Sequence, residues 1–132
     1  MNKELSPLEK LIAVEQDTRK YGFDWPDVES VLDQIDSESQ EVRQAIALGE
    51  SQERIKEEVG DLLHGVISLC VFCNYDVEAI LDAGANKFSQ RMKLVKEAAL
   101  KRGLTNLHNQ TTEFMLELWQ EAKDKRNLSV DE

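Results

Sequence analysis

Glu38-Ser39-Gln40-Glu41 and Glu58-Val59-Gly60-Asp61 set two carboxylates three residues apart twice, on either side of a helix break at Gly49. A spacing of three puts both members of each pair on one helix face. At about 100° per residue, Glu38 lies about 80° and Glu41 about 140° from the centre of an apolar stripe formed by Val28, Val31, Leu32, Ile35, Val42 and Ile46. The second stripe is Ile55, Val59, Leu62, Val66, Leu69 and Cys73, with Glu58 about 60° and Asp61 about 120° off centre on the same rotational side. Helices burying these stripes against each other or a common core would gather four carboxylates beside it. Such a group repels itself unless a cation neutralises it, and hard Mg²⁺ or Mn²⁺ suits carboxylate oxygen.

Carboxylates at helical spacing ordinarily form a solvated face. Three features favour a metal site here: the shared flank, small residues Ala45 and Gly65 near it, and no Lys or Arg within either helix placed to satisfy both members of a pair. Glu57 and His64 fall nearly opposite the stripe and read as surface groups, or as supports behind the ligands at most. Further on, Asn86-Lys87-Phe88-Ser89-Gln90-Arg91 sets Lys87 and Arg91 one helical turn apart. The plain reading is a solvated basic patch. The sharper one is a grip on phosphate, Lys as a compact charge and Arg as a fork. Acids for metal and bases for phosphate together suit a polyphosphate ester.

Helices must position all of these groups. Ser6-Pro7-Leu8-Glu9 predicts a capped start, and a helix to about Lys20 follows, with Leu8, Leu11, Ile12 and Glu15 on its period. Gly22 is the expected C-cap, and Asp24 or Trp25 the N-cap before Pro26. Phe23 and Trp25 read first as packing anchors and second as a base-stacking wall. Further helices are expected from Asp27 to Leu48, from Gln52 to Phe72 with Ser51 as cap, and from Val77 to Arg102 with an interruption near Gly84. A last amphipathic helix through Phe114, Leu118, Trp119 and Ala122 should fade into a charged tail from Lys123. No strand pattern appears, so the expected fold is all-α: an antiparallel bundle of four to five helices in a single domain spanning 1–132, core 8–125 and tail 126–132.

The 132 residues suffice for one core, and 41% hydrophobic with 32% charged residues fits a soluble helical protein. A net charge of −10 argues against a nucleic acid polymer as partner. There is no membrane-spanning run and no signal-peptide pattern, so a cytoplasmic location is expected. Cys70 and Cys73 form a lone CxxC inside an apolar helix and read as core thiols.

These motifs resemble the MazG-like family of all-α nucleoside triphosphate pyrophosphohydrolases. The family's EExxE, spacer, ExxD signature is similar to Ser37-Glu38-Ser39-Gln40-Glu41 and Glu58-Val59-Gly60-Asp61, with Ser37 in place of the first acid. Glu41 to Ile46 resembles EVxxAI, Glu57 to Leu63 resembles EExGDLL, Asn86 to Arg91 resembles the basic motif, and Trp119 to Lys123 resembles WxxxK. The HPH segment that often follows the basic motif is replaced by Met92-Lys93-Leu94-Val95.

The resemblance implies hydrolysis of a ribo- or deoxynucleoside triphosphate to the monophosphate and pyrophosphate, for nucleotide-pool housekeeping. It implies Mg²⁺, with Mn²⁺ as substitute, on Glu38, Glu41, Glu58 and Asp61, and substrate contacts from Asn86, Lys87, Arg91 and Trp25. It also implies a homodimer or tetramer. Competing readings are a related hydrolase, dUTPase-like, dCTPase-like or acting on phosphoribosyl-ATP, and a catalytically silent helical adaptor that Ser37 keeps open. A di-iron bundle is disfavoured, because Asp61-Leu62-Leu63-His64 only loosely approximates the required motif.

Overall fold

The computed structural model describes residues 4–131, and these form five helices with no strand among them. They are α1 (Pro7–Tyr21), α2 (Val28–Ala47), α3 (Gln52–Phe72), α4 (Val77–Lys101) and α5 (Thr112–Asp131). The chain divides after Glu78, in the first turn of α4, into two compact units.

In the first unit the helix ends follow local chemistry. Ser6 Oγ accepts from the Glu9 amide at 3.2 Å, and the Glu9 carboxylate accepts from the Ser6 amide at 3.2 Å, closing the expected capping box. Gly22 ends α1 at φ 106° and Gly49 follows α2 at φ 65°, where a side chain would be strained. Ser51 Oγ caps α3 by accepting from the Arg54 amide.

The cap of α2 differs from the expectation. Asp27, not Asp24 or Trp25, accepts from the Ser30 amide at 2.8 Å and the Ser30 hydroxyl at 2.7 Å. These bonds hold the Asp27 carboxyl below the usual carboxylate range. Asp24 is occupied elsewhere, by Arg19 and by the Trp25 amide at 2.8 Å.

The α2–α3 hairpin is the most extensive helix pairing of this unit, and α1 packs on α3. Its register is antiparallel, since a Cβ on Gly65 would stand 3.3 Å from Ile35 Cγ1 while the Glu38/Glu41 segment faces Glu58/Asp61. That close approach explains a glycine in mid-helix despite its cost of about 1 kcal/mol against alanine.

The buried faces are rotated from those the apolar stripes predict. On α2 the buried positions are Val31 and Ala45, with Gln34, Ile35 and Glu38 half-buried, whereas Val28, Leu32 and Ile46 are exposed. On α3 Glu58, Ser68 and Cys70 are buried and Ile55, Leu62, Leu69 and Cys73 half-buried, while Val59 and Val66 are 41% and 45% exposed. Both helices therefore bury one edge of the stripe together with the inner acid that borders it, Glu38 on α2 and Glu58 on α3, and leave the other edge exposed. Phe23 is exposed as well, so it anchors nothing in this unit, while Trp25 is half-buried.

The second unit closes on Val95 and Ala99 of α4 and Leu118 and Ala122 of α5, with Met92, Phe114 and Trp119 packed around them. Leu118 is fully buried, a contribution of about 1.5–3 kcal/mol. Two differences appear here. α4 runs unbroken through Gly84, whose glycine cost in one helix position is too small to break 25 residues of helix. α5 continues past Lys123 to Asp131, because Arg126 reaches Gln90 Oε1 at 2.8 Å and ties the tail to α4. Arg102 pairs with Glu121 at 2.7 Å in the same way.

Cys70 is buried, Cys73 is half-buried, and both are free thiols, in keeping with the core reading. No described helix is long and apolar enough to cross a membrane.

Candidate metal centre

Glu38 and Glu41 on α2 and Glu58 and Asp61 on α3 come together: each offers a carboxylate oxygen, and these four oxygens lie within 4.8 Å of one another. Two oxygens on opposite sides of a Mg²⁺ ion stand about 4.2 Å apart, so a single hard cation fits this group with a small contraction.

The burial is uneven. Glu58 is only 4% exposed, Glu38 is half-buried, and Glu41 and Asp61 face outward. Buried Oε2 atoms of Glu38 and Glu58 have no hydrogen-bond partner. Buried carboxylate oxygens are normally satisfied, so two unpartnered ones in one acidic group suit the binding of a cation. The electrostatics agree. The Glu41 carboxyl is held above the usual carboxylate range, first by its hydrogen bond to Glu38, then by the Glu38 charge, by desolvation, and by Glu58.

Two groups that sequence reasoning passed over touch the acids. Gln34 donates to Glu38 Oε1 at 2.7 Å. Arg54 reaches Glu58 Oε1 at 2.6 Å and Glu57 Oε2 at 3.0 Å, and these partners keep its guanidinium more firmly charged. Arg54 stands one helical turn before Glu58, a spacing that could have flagged the pair. It satisfies Glu58 without reaching Asp61, so no single base serves both members of the pair. Glu57, bound by Arg54, is an exposed group as expected.

A cavity of about 220 Å³ lies beside the acids, lined by Trp25, Val31, Gln34, Glu38, Asp61, His64, Gly65 and Ser68. Trp25 therefore shares a cavity with one acid from each pair. His64 is exposed, as a surface group should be, but it does not point away from the acids: it lines this cavity. The rotation of α3 that buries Glu58 swings His64 toward α1, where its Nε2 bonds to Glu15. Glu15 is buried and also accepts from Arg19 Nη2 at 2.8 Å and from Ser68 Oγ at 3.2 Å.

The remaining predicted residues belong to the second unit. Asn86 and Lys87 are exposed on α4. Arg91 is half-buried with its guanidinium 5.4 Å from the Trp119 ring centroid, and Trp119 in turn meets Phe88 at 5.9 Å. Arg91 Nε is buried without a partner. A guanidinium laid on an indole face keeps its fork directed while the ring supports it.

A family model for the MazG nucleotide pyrophosphohydrolase domain matches residues 26–96, which include both acidic pairs, Lys87 and Arg91. The chain belongs to the MazG family. The chain is 32% identical over 124 residues to the nucleoside triphosphate pyrophosphohydrolase/pyrophosphatase MazG of Thermotoga maritima, covering 91% of this chain and 47% of that protein. It is 34% identical over 106 residues to the nucleoside triphosphate pyrophosphohydrolase of Escherichia coli K12, covering 77% of this chain and 39% of that protein. The chain thus spans about half or less of the length of these curated relatives. Trp25 lies one residue before the matched segment and lines the cavity beside the acids.

Proposed function

We propose that this MazG chain hydrolyses nucleoside triphosphates, ribo or deoxy, to the monophosphate and pyrophosphate in nucleotide-pool housekeeping. The observation that carries the reading is the convergence of four carboxylates from α2 and α3 with two buried, unpartnered oxygens among them. Glu38, Glu41, Glu58 and Asp61 are the residues to hold a divalent cation, Mg²⁺ by preference and Mn²⁺ as substitute. When bound, such an ion supplies neutralisation of phosphate charge and a water of lowered pKa.

The chain's own groups do the rest. Gln34 orients Glu38 and Arg54 orients Glu58 through the bonds described above. The cavity beside the acids is smaller than the ~300–1,000 Å³ of a typical ligand pocket, so it suits one part of a nucleotide, with the phosphates left over the carboxylates. Trp25, which lines it, is proposed as the aromatic contact for a base. Lys87 and Arg91, with Asn86 beside them, are proposed as phosphate contacts on the strength of the family's basic motif. The reaction then rests on positioning and charge stabilisation, without a covalent protein intermediate.

Homodimer or tetramer formation is part of the same proposal. Val28, Leu32, Val59, Leu63 and Val66 leave the apolar flank of the α2–α3 hairpin exposed, a patch that a second copy would cover. Light scattering on the purified chain checks this.

The testing experiment measures pyrophosphate and monophosphate released from a panel of ribo- and deoxynucleoside triphosphates, with and without Mg²⁺. Metal-dependent release of both products is expected, and the best substrate separates a general pyrophosphohydrolase from a dUTPase-like or dCTPase-like one. No turnover, with a melting temperature indifferent to metal, would leave the silent adaptor.

A further inference from the structure

We infer that His64 is a specificity-determining residue of the cavity beside the acids, held by Glu15 so that its Nδ1 accepts a hydrogen bond from an N–H or O–H of the bound nucleoside. The inference rests on the nucleotide reading above and names a residue that neither acidic pair nor basic motif contains.

The geometry starts at α1. Glu15 is a buried carboxylate whose Oε2 accepts from Arg19 and Ser68 and whose Oε1 faces His64 Nε2. Arg19 is itself fixed, donating to Ser68 O at 2.9 Å, Ser68 Oγ at 2.8 Å and Asp24 Oδ1 at 2.5 Å. Glu15 is thus immobilised from its far side by two donors, which sets its Oε1 to accept from His64. With Nε2 as the donor of that bond, the neutral tautomer leaves Nδ1 as an acceptor.

Nδ1 has no partner among the described residues. The His64 side chain is 51% exposed and lines the cavity that Glu38, Asp61 and Trp25 share. His64 Nε2 satisfies Glu15 Oε1, as Arg19 and Ser68 satisfy Oε2, and the same bond fixes an imidazole that extends outward from the buried carboxylate into the cavity wall. What the arrangement does is fix the ring of a cavity-lining residue through Nε2 and leave its other nitrogen for a bound group. A wall that hydrogen-bonds a polar group discriminates against ligands lacking it far better than an apolar wall can.

The matching donor has two sources on a nucleoside: an amino or ring N–H of the base, or a sugar hydroxyl. The test uses the full chain and two substitutions that separate the nitrogens. His64→Gln keeps an N–H at the tip to donate to Glu15 and deletes Nδ1. His64→Asn restores an oxygen near the Nδ1 position and gives up the Glu15 bond. Steady-state kinetics are measured on wild type and both variants with dCTP against dUTP, and with ribo, 2′-deoxy and 3′-deoxy forms of the best base, alongside the Mg²⁺-induced rise in melting temperature.

For His64→Gln the expected result is an unchanged Mg²⁺ response and kcat. KM for the best nucleotide rises about fivefold to tenfold, as for one lost hydrogen bond, with an equal loss of preference over its competitor. His64→Asn recovers part of that preference. Collapse of the base ranking assigns the donor to the base, and collapse of the sugar ranking assigns it to the hydroxyl. An unchanged ranking in His64→Gln overturns the inference while leaving the hydrolase reading intact, as does a uniform fall in kcat/KM across the panel. A wild type silent on every nucleotide overturns both.

Discussion

Glu58→Gln isolates the most buried member of the acidic group with one atom changed. The substitution removes a proposed metal ligand, frees Arg54 from a 2.6 Å contact, and takes one negative charge away from Glu38, Glu41 and Asp61. The lost ion pair is small in energy, because Arg54 is half exposed and i,i+4 pairs are worth about 0.3–0.5 kcal/mol. Relief of repulsion among the remaining acids opposes that loss. The metal-free variant should therefore melt at or above the wild-type temperature.

Added Mg²⁺ should separate the two proteins. At 100 times its dissociation constant a ligand stabilises by about 2.7 kcal/mol, which for a chain of this size is a rise of about 10 °C. The wild type should show that rise and lose it to a chelator. Glu58→Gln should lose most of it at the same Mg²⁺ concentration, and its pyrophosphate release should fall by at least about 10²-fold. Thermal unfolding against Mg²⁺, run beside the product assay, reads both. A variant that keeps the full Mg²⁺ shift, or that turns over at the wild-type rate, would refute Glu58 as a ligand and with it the reading of the buried orphan oxygen.

Glu41 titrates above its ordinary value of 4.5, so the folded metal-free chain holds this proton more tightly than the unfolded chain does. Stability should fall as pH rises from about 4.5 through the raised value, Glu41→Gln should remove that slope, and urea unfolding across the range checks it. Asp27 has the opposite sign: its depressed carboxyl contributes stability above 3.8 that is lost as pH falls through the lowered value, and Asp27→Ala should abolish that part of the acid sensitivity. Gly65→Val drives a side chain into Ile35, already 3.3 Å from a bare Cβ, and should cost about 1–3 kcal/mol. Because it spreads α2 from α3, it should also weaken the Mg²⁺ shift; a full shift would mean that hairpin spacing does not set the site. Arg91→Ala should raise KM for the nucleotide about tenfold or more and leave the Mg²⁺ response unchanged, and loss of that response would remove Arg91 from a purely phosphate role.

Most of the local architecture was legible in the sequence because it obeys short-range chemistry. Ser6, Gly22, Gly49 and Ser51 end or begin helices through bonds and backbone angles spanning a few residues, and the structure has them in those roles. The spacing of Glu38, Glu41, Glu58 and Asp61 likewise determined which carboxylates share a helix face, whatever the neighbouring helices do. The Asp27 cap was misread because Asp24 had a rival partner, Arg19 on α1, that no local pattern names. The unbroken α4 and the long α5 depended on packing and on Arg126 reaching Gln90.

Tertiary structure decided the rotation of α2 and α3. A helix pattern locates an apolar stripe but not which edge of it a neighbour will cover. Here Gly65 admits Ile35 closely, and α1 contributes Glu15 and Arg19 to the adjoining flank. That rotation buries Glu58 while leaving Val59 and Val66 exposed, and it turns His64 from an apparent surface group into a wall of the cavity. Sequence spacing determined which acids could meet; only the packing of three helices determined how deeply they sit and what faces them, because burial and partners are properties of the neighbours and not of the helix that carries the residue.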